Sequence, residues 1–312
     1  MSKRAALLGF LIGDAIGVPF EFNTSEYLQG VPKKNFALPT PATNRSHHMA
    51  PPNAWSDDGA QVLALIDSLQ RCQTLDLDDF GQALLDWQMH GKYAVDGVIF
   101  DIGIQTKRAL QKLRNGTPAI DCGGELECHN GNGSLMRVLG LALWHTGSDK
   151  ELIDFAYDQS LPTHAHLRSQ VCCALYCLWV RNLLNGAEDG FDEAVRTFTD
   201  ISIQLNDQAS LDELKIVLND QHLPPTGTGY VVDTLWSVRH AFIHSSSYPE
   251  AIETAIRLGP DTDTVAAITG AVAAIKYGED NIPQLWRDTL ATDPMLTDCL
   301  EIVAPKISTM RL

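Results

Sequence analysis

The fold is decided by the stretch Arg257-Leu258-Gly259-Pro260-Asp261-Thr262-Asp263-Thr264, which runs directly into residues 265–278. The first part has the glycine, proline, acids and hydroxyls of a loop that ends one helix and begins another. The second part is made almost wholly of small residues and predicts a buried helix that neighbouring backbone approaches closely. Asp261 and Asp263 suit the positive end of a helix dipole, and with the hydroxyls they are also hard oxygen ligands for Mg²⁺, Mn²⁺ or Ca²⁺. A helix cap and a metal site are both open interpretations at this point.

The composition is that of a globular protein with a sizeable core, because 45% of the 312 residues are apolar and 20% are charged. The net charge of −16 argues against a nucleic-acid partner. The longest apolar run, residues 171–180, is too short for a membrane span, which takes roughly 20 residues. No signal peptide is evident, and the seven cysteines are an odd number, three of them in that apolar run. We therefore expect free thiols and a cytoplasmic protein without a membrane partner.

Helical periodicity recurs along the whole chain. It predicts helices over residues 5–16, 57–71, 78–90, 101–115, 134–144, 150–160, 192–205, 211–218, 231–244, 249–258 and 282–290, a further one from 294, and others containing 171–180 and 265–278. Capping boxes are predicted at Ser148 with Glu151 and at Ser210 with Glu213. Residues 30–53 form a long proline-rich loop of the kind that more often covers a site than connects helices. Without strand patterns, linkers or repeats, the sequence predicts one all-α domain over residues 1–312.

A second acidic helix start is Trp55-Ser56-Asp57-Asp58-Gly59. If its N-terminus meets that of the helix after Asp261, four carboxylates balance two divalent cations, and the hydroxyls of Ser56 and Thr264 complete the ligand shells. Without metal ions, converging carboxylates repel one another, so some would be protonated. The alternative is two unrelated helix caps on opposite surfaces.

Three further segments carry weaker signals. Residues 130–137 contain Gly, Asn and Ser before a helix, an arrangement whose backbone N–H groups can face a phosphate. His164 and His166 are two residues apart, so they do not share a helix face; one of them can hydrogen-bond a ligand or cap a helix. Tyr230 follows a glycine-rich turn and either stacks on a flat ring or lies half-buried. The Cys122, Cys128 and His129 set does not have a usual zinc spacing.

Seven motifs in chain order carry a resemblance. They are Gly13-Asp14-Ala15-Ile16-Gly17 with Glu21, Ser56-Asp57-Asp58, Asp101-Ile102-Gly103, Asn132-Gly133-Ser134-Leu135-Met136-Arg137, Thr163-His164, Gly229-Tyr230-Val231-Val232-Asp233-Thr234 and Asp261-Thr262-Asp263-Thr264. Together they resemble the ADP-ribosylglycohydrolase family, which includes the bacterial dinitrogenase reductase-activating glycohydrolases and the animal ADP-ribosyl-acceptor hydrolases. The resemblance extends over residues 5–280.

The resemblance implies a single compact all-α domain with a dinuclear Mg²⁺ or Mn²⁺ centre in a cleft. It implies cleavage of the glycosidic bond between ADP-ribose and an acceptor. The implied metal ligands are Ser56, Asp57, Asp58, Asp261, Asp263 and Thr264, with Asp263 as the bridge. The implied substrate-binding residues are Asn132, Gly133 and Ser134 at the diphosphate, His164 near the ribose and phosphate, and Tyr230 at the adenine. Ser56 stands where Thr is usual, and Pro260 stands where a second Gly is common.

Two acids are the implied catalytic residues. Asp101 corresponds to an acid beside the scissile ribose, and Glu21 would lie in a mobile loop near the metal ions. Breaking the C1″ bond builds oxocarbenium character, which a carboxylate can stabilise while it or a second one takes a proton from water. We expect ADP-ribosylated arginine on proteins as the substrate. The alternatives are serine-linked or O-acetyl-ADP-ribose, a binding module without turnover, or an immunity protein that binds an ADP-ribosyltransferase toxin, for instance through residues 30–53.

Overall fold

The regular elements of the protein are helices, as the sequence predicts. The structure, a computed structural model, describes residues 2–41, 45–219 and 223–303. The helices are α1 Lys3–Gly17, α2 Ser25–Gln29, α3 Asp57–Cys72, α4 Leu77–His90, α5 Ile104–Arg114, α6 Leu139–Trp144, α7 Asp149–Asp158, α8 Leu167–Leu184, α9 Phe191–Gln204, α10 Gln208–Asn219, α11 Val231–Ile243, α12 Tyr248–Leu258, α13 Thr262–Tyr277, α14 Gln284–Thr289 and α15 Pro294–Val303. In these described ranges, extended pairing is confined to the isolated bridges Gly124–His164 and Gly131–Tyr230. None of these helices has the length and apolarity to cross a membrane.

The centre of the molecule is the antiparallel pair of α1 and α13. A Cβ atom at Gly13 would lie 2.2 Å from the carbonyl oxygen of Ala266, and one at Gly17 would lie 2.4 Å from the Cα of Asp263. The two backbones are therefore in contact, and only glycine permits this approach. Residues 5–17 of α1 are buried, as are residues 262–275 of α13. The small-residue helix predicted from the sequence is thus the innermost element.

Other helices enclose this pair. Helices α8, α11 and α12 pack on α13, and α3 contacts α1, α13, α4, α6 and α15. Most of the buried apolar side chains of the described residues form one continuous cluster. Thr262 Oγ1 donates to the carbonyl of Gly17 at 2.8 Å, so the start of α13 meets the end of α1. The acidic starts of α3 and α13 consequently lie at the same end of the central pair.

Several predicted helix limits are wrong for identifiable reasons. Residues 101–103 precede α5, which begins at Ile104 after the cap residue Gly103. Turns occupy residues 133–138, so α6 begins at Leu139 rather than at 134. The capping box at Ser210 is also wrong, because α10 begins at Gln208 and Asp207 accepts from the Ser210 N–H at 3.1 Å. Asp207, three residues before Ser210, therefore provides the capping carboxylate, and the Ser210 side chain is buried instead.

Ser148 caps α7 as predicted, with its Oγ accepting from the Glu151 N–H at 3.2 Å. The Glu151 carboxylate, however, contacts His145 Nε2 at 3.1 Å. All seven cysteines are free thiols, as expected. Helix α2, which the sequence analysis did not predict, opens the segment that leads into residues 30–53, and the described part of this loop has only a short 3₁₀ turn at Lys33–Asn35.

Candidate active site

Asp58 is the most deeply buried acid at the start of α3. The Ser56 hydroxyl caps α3 by accepting from the Asp58 N–H at 3.2 Å, and it donates to Asp58 Oδ2 at 2.9 Å. Thr264 Oγ1 from α13 donates to the same oxygen at 3.2 Å. Asp58 Oδ1 is buried without a hydrogen-bond partner among the described residues. An orphaned, buried carboxylate oxygen is costly unless a cation binds it, so this atom fits a metal ligand.

Asp14 completes this cluster from inside α1. Its Oδ1 accepts from the Ser56 N–H at 2.8 Å and its Oδ2 accepts from the Gly59 N–H at 2.9 Å, which ties α1 to the start of α3. Carboxylate oxygens of Asp14, Asp58 and Asp263 all lie within 4.8 Å of one another. Sequence reasoning did not assign Asp14 a role. The available signal was an acid inside an otherwise apolar helix, where a charge needs a strong reason to be buried.

The start of α13 brings a second group together. Oxygens of Glu21, Asp261 and Asp263 lie within 4.8 Å of one another. Asp261 Oδ2 accepts from Asn132 Nδ2 at 2.7 Å, and the same amide donates to Thr234 Oγ1 at 3.0 Å. Asn132 belongs to residues 130–137, the glycine loop, and therefore links this loop to the carboxylates. The structure thus joins the two acidic helix starts, and the alternative of unrelated caps on opposite surfaces is wrong.

The electrostatics of the cluster are those of crowded, buried acids. Burial, followed by the charges of neighbouring carboxylates, holds the pKa of Asp57, Asp58 and Asp263 well above the ordinary value. Burial also raises the pKa of Asp14 and of Glu21 to about 7. Such acids repel one another as anions, and divalent cations remove that repulsion. The donor set is of hard oxygens, which fits Mg²⁺ or Mn²⁺.

Glu21 is held from the long loop before α3. His47 Nε2 forms an ion pair with Glu21 Oε2, and ligand atoms of His47, Glu21 and Asp101 lie within 4.8 Å of one another. The hydrogen bond to Glu21 raises the pKa of His47, and burial raises the pKa of Asp101. The Ser46 hydroxyl also donates to the carbonyl of Glu21 at 2.5 Å. The sequence analysis named Glu21 and Asp101 as the two candidate catalytic acids, and the structure brings them close together beside His47, which that analysis did not find.

A cavity of about 720 Å³ opens over these acids. The predicted site residues in its lining are Glu21, Asp57, Asp101, Asn132, Gly133, His164, Asp261 and Thr264. Phe22, Ile102, Ile104 and Met136 add an apolar part. Ser56, Asp58 and Asp263 lie beneath, buried in the floor. A cavity of this size with a few convergent polar groups is typical of a small-molecule site.

The glycine loop packs closely against His164. A Cβ at Gly133 would lie 2.6 Å from His164 Cε1, so this position requires glycine. Burial lowers the pKa of His164 to about 3, and its Nδ1 lies 2.8 Å from Thr163 Oγ1. The ring is therefore neutral. The buried Arg137 fixes the loop from behind by donating to the carbonyl of Gly133 at 3.3 Å.

Two predicted binding residues do not line this cavity. Ser134 is buried, and its hydroxyl accepts from Ser160 Oγ at 2.7 Å in the interior. Tyr230 caps α11, pairs with Gly131 through a β-bridge and accepts from Arg168 Nη1 at 3.3 Å. Their contact with a diphosphate and with adenine stays a prediction. His166 caps α8, accepting from the Arg168 N–H at 3.1 Å.

Comparison with known proteins gives the fold first. A solved structure described as an ADP-ribosylglycohydrolase-related protein complex matches with a TM-score of 0.75 and 24% identity, covering 96% of this chain and 95% of the other. The chain therefore has the fold of that structure.

Sequence comparison gives the family. The model of the family described as ADP-ribosylglycohydrolase matches residues 3–311. The chain is 30% identical to the ADP-ribosylarginine hydrolase Tri1 of Pseudomonas putida (strain GB-1), over 92% of this chain and 74% of that one. It is 26% identical to the ADP-ribosyl-[dinitrogen reductase] glycohydrolase of Rhodospirillum rubrum, over 91% of this chain and 88% of that one. The chain belongs to the ADP-ribosylglycohydrolase family, which confirms the resemblance and the expectation of an ADP-ribosyl-acceptor glycohydrolase.

Proposed function

We propose that the protein is a metal-dependent hydrolase that releases ADP-ribose from modified arginine side chains of proteins, as a single domain, using two Mg²⁺ or Mn²⁺ ions. The observation that carries the proposal is the buried carboxylate cluster in the floor of the cavity, with the unpartnered Asp58 Oδ1. The names of the relatives from Pseudomonas putida and Rhodospirillum rubrum support an arginine-directed or protein-directed activity.

The residues that would hold the cations are the predicted ligands Ser56, Asp57, Asp58, Asp261, Asp263 and Thr264, and the structure adds Asp14 to their surroundings. Bound divalent cations supply positive charge and Lewis acidity, which neutralise the carboxylates and orient oxygen groups of the substrate. The hydroxyls of Ser56 and Thr264 hold Asp58 through one oxygen only, so its other oxygen stays free for this purpose.

Glu21 and Asp101 carry the proposed chemistry at the ribose. Both line the cavity, and both are partly desolvated beside the cluster. A carboxylate there stabilises the positive charge that develops at C1″, and a second one takes the proton of the attacking water. Glu21 lines the cavity, where its carboxylate can accept a proton from water. His47 holds Glu21 in place.

The charge of the cavity favours arginine as the acceptor of ADP-ribose. A guanidinium is planar, cationic and a multiple hydrogen-bond donor, so it favours a mouth with carboxylates such as Glu21 and Asp101. Serine-linked and O-acetyl conjugates lack this charge. They remain alternatives, together with a role against an ADP-ribosyltransferase, whose binding would involve surfaces outside this cavity.

The experiment measures release of ADP-ribose from two peptides of the same sequence context, one modified on arginine and one on serine. Each is assayed with Mg²⁺, with Mn²⁺ and after chelation. We expect a higher kcat/KM on the arginine peptide and loss of release after chelation, restored by metal. Faster release from serine would contradict the arginine assignment. Full activity after exhaustive chelation would contradict the metal dependence.

A further inference from the structure

Phe22 lies at the cavity with an exposed aromatic ring and an unfavourable backbone conformation. It lines the cavity next to Glu21, yet its side chain is 69% exposed. Its φ of 65° lies in the left-handed region, which is unfavourable for a bulky residue. The Phe22 N–H donates to the carbonyl of Pro260 at 2.7 Å, which fixes this backbone to the loop before α13. Strain of this kind at a site is maintained by the surrounding structure and is common where a ligand binds.

The neighbours of Phe22 combine aromatic rings and acids. Its ring centroid lies 5.6 Å from that of His47, which in turn lies 5.2 Å from that of Phe100. His47 pairs with Glu21 and lies in the same cluster as Asp101. Phe22 is thus the exposed end of a short row of three rings, and of these rings it is the one that lines the cavity. The glycine loop and His164 form a separate set of contacts.

An exposed ring beside two carboxylates matches a planar cation. An aromatic face attracts a guanidinium through cation–π and stacking contacts, while carboxylates accept its N–H groups in the plane. A neutral serine or acetyl group gains neither contact. Phe22 lines the cavity together with Glu21 and Asp101, the two acids proposed to act at the ribose.

We propose that Phe22 is a specificity-determining residue whose ring packs on the guanidinium of the modified arginine, on the acceptor side of the scissile bond. This inference rests on the proposed function. The ring discriminates between acceptors, and the ADP-ribose moiety is bound without it.

The test uses Phe22→Ala, Phe22→Tyr and the control Tyr27→Ala. Phe22→Ala removes the ring but keeps a Cβ atom, so the positive φ stays disfavoured in the variant. Tyr27 is another exposed aromatic residue, on α2 and outside the cavity lining. For each variant, the measurements are the KM and kcat on arginine-linked and serine-linked peptides, the Kd of free ADP-ribose, and the Tm.

For Phe22→Ala we expect KM on the arginine-linked peptide to rise about ten-fold, the scale of one desolvated cation–π contact. The Kd of ADP-ribose, the kinetics on the serine-linked peptide and the Tm should stay at parent values. Phe22→Tyr and Tyr27→Ala should resemble the parent. Equal losses on both peptides, a weaker Kd for ADP-ribose, or no change at all would overturn the role of Phe22. A parent protein that releases nothing from the arginine peptide would overturn the proposed function itself, and the role of Phe22 with it.

Discussion

Asp263 belongs to two clusters of acids among the described residues, one with Asp14 and Asp58 and the other with Glu21 and Asp261. At the scale of single residues it is therefore the position whose loss should separate metal binding from folding. We predict that Asp263→Ala abolishes turnover and weakens Mn²⁺ binding at least ten-fold, since one carboxylate serves both groups. Helix content should be unchanged, because the substitution also removes a buried like charge.

Titration calorimetry with Mn²⁺ and circular dichroism check this prediction. The control is Asp280→Ala, an exposed acid in the Glu279–Asn281 turn. Parent-like metal binding by the Asp263 variant would exclude this residue from the ligand set.

His47 gives a second prediction at this scale, because it is the side chain that holds Glu21. We expect His47→Ala to lower kcat by roughly ten- to a hundred-fold, the cost of misplacing a catalytic group by about an ångström. His47→Gln keeps a side-chain donor and should recover part of the rate. His48→Ala, at the neighbouring exposed position, is the matched control.

Single-turnover kinetics with both His47 variants is the measurement. If Gln and Ala are equally impaired, a hydrogen bond to Glu21 is not what His47 provides.

The sequence predicts that residues lie close together in the fold best where they belong to short, dense motifs. Ser56, Asp57, Asp58, Asp261, Asp263 and Thr264 stand in two such motifs, and the structure places both at one site. Asp14 and His47 could not be assigned in the same way. Asp14 is an isolated acid in a helix, and His47 lies in an aperiodic loop, so only tertiary packing shows what each contacts.

At the scale of elements, the crossing of α1 and α13 determines how close Asp14 lies to Asp263. We predict that Gly13→Ala lowers stability by about 1–3 kcal/mol, the usual cost of overpacking. The added Cβ would meet the carbonyl of Ala266 at 2.2 Å, and neither helix backbone can yield without moving an acid. Metal binding should weaken together with stability.

Thermal unfolding and Mn²⁺ titration of Gly13→Ala test this coupling. Gly30→Ala is the control, because Gly30 has a φ of −80° and a Cβ there would lie 3.4 Å from its nearest neighbour. A Gly13 variant with parent stability would show that the helices are not in rigid contact.

Elements with strong periodicity were predicted within a few residues, whereas their starts depend on local competition. Asp207 accepts from the Ser210 N–H near the start of α10, and residues 101–103 precede α5, whose cap residue is Gly103. Helix α2 has only five residues, too few to show a period.

At the scale of the whole molecule, the buried acids make metal-free stability depend on pH. The pKa of Asp14 is about 7 in the folded protein against an ordinary 3.8, so the folded state binds more protons between these values. Stability then falls as pH rises through this window. Asp67, Asp79 and Glu253 have lowered pKa values and lose their contribution only in more acidic solution. The pKa of His164 is lowered to about 3, so below its ordinary pKa of 6.5 this residue makes stability fall as pH falls.

We therefore predict that chelated protein gains stability as pH falls from 7.5 to 5.5, by more than its Asp14→Asn variant does. The difference between the two isolates Asp14 from the histidines. Saturating Mg²⁺ should raise the Tm most at pH 7.5, where the acids are ionised. Differential scanning calorimetry at both pH values is the measurement, and identical pH profiles for parent and variant would contradict the burial of a titrating Asp14.

The contact of α1 with α13 also has a consequence for protein synthesis. Gly17 and Thr262, which are hydrogen-bonded at this crossing, are separated by 245 positions in the chain. The ribosome therefore releases the apolar helix α1 long before its partner exists. Helix α1 then stays exposed or bound by a chaperone until α13 has been synthesised. The acids of α13 can join Asp14 and Asp58 only after this docking, so a nascent chain that stops short of α13 has neither a closed core nor a complete set of carboxylates for the cation.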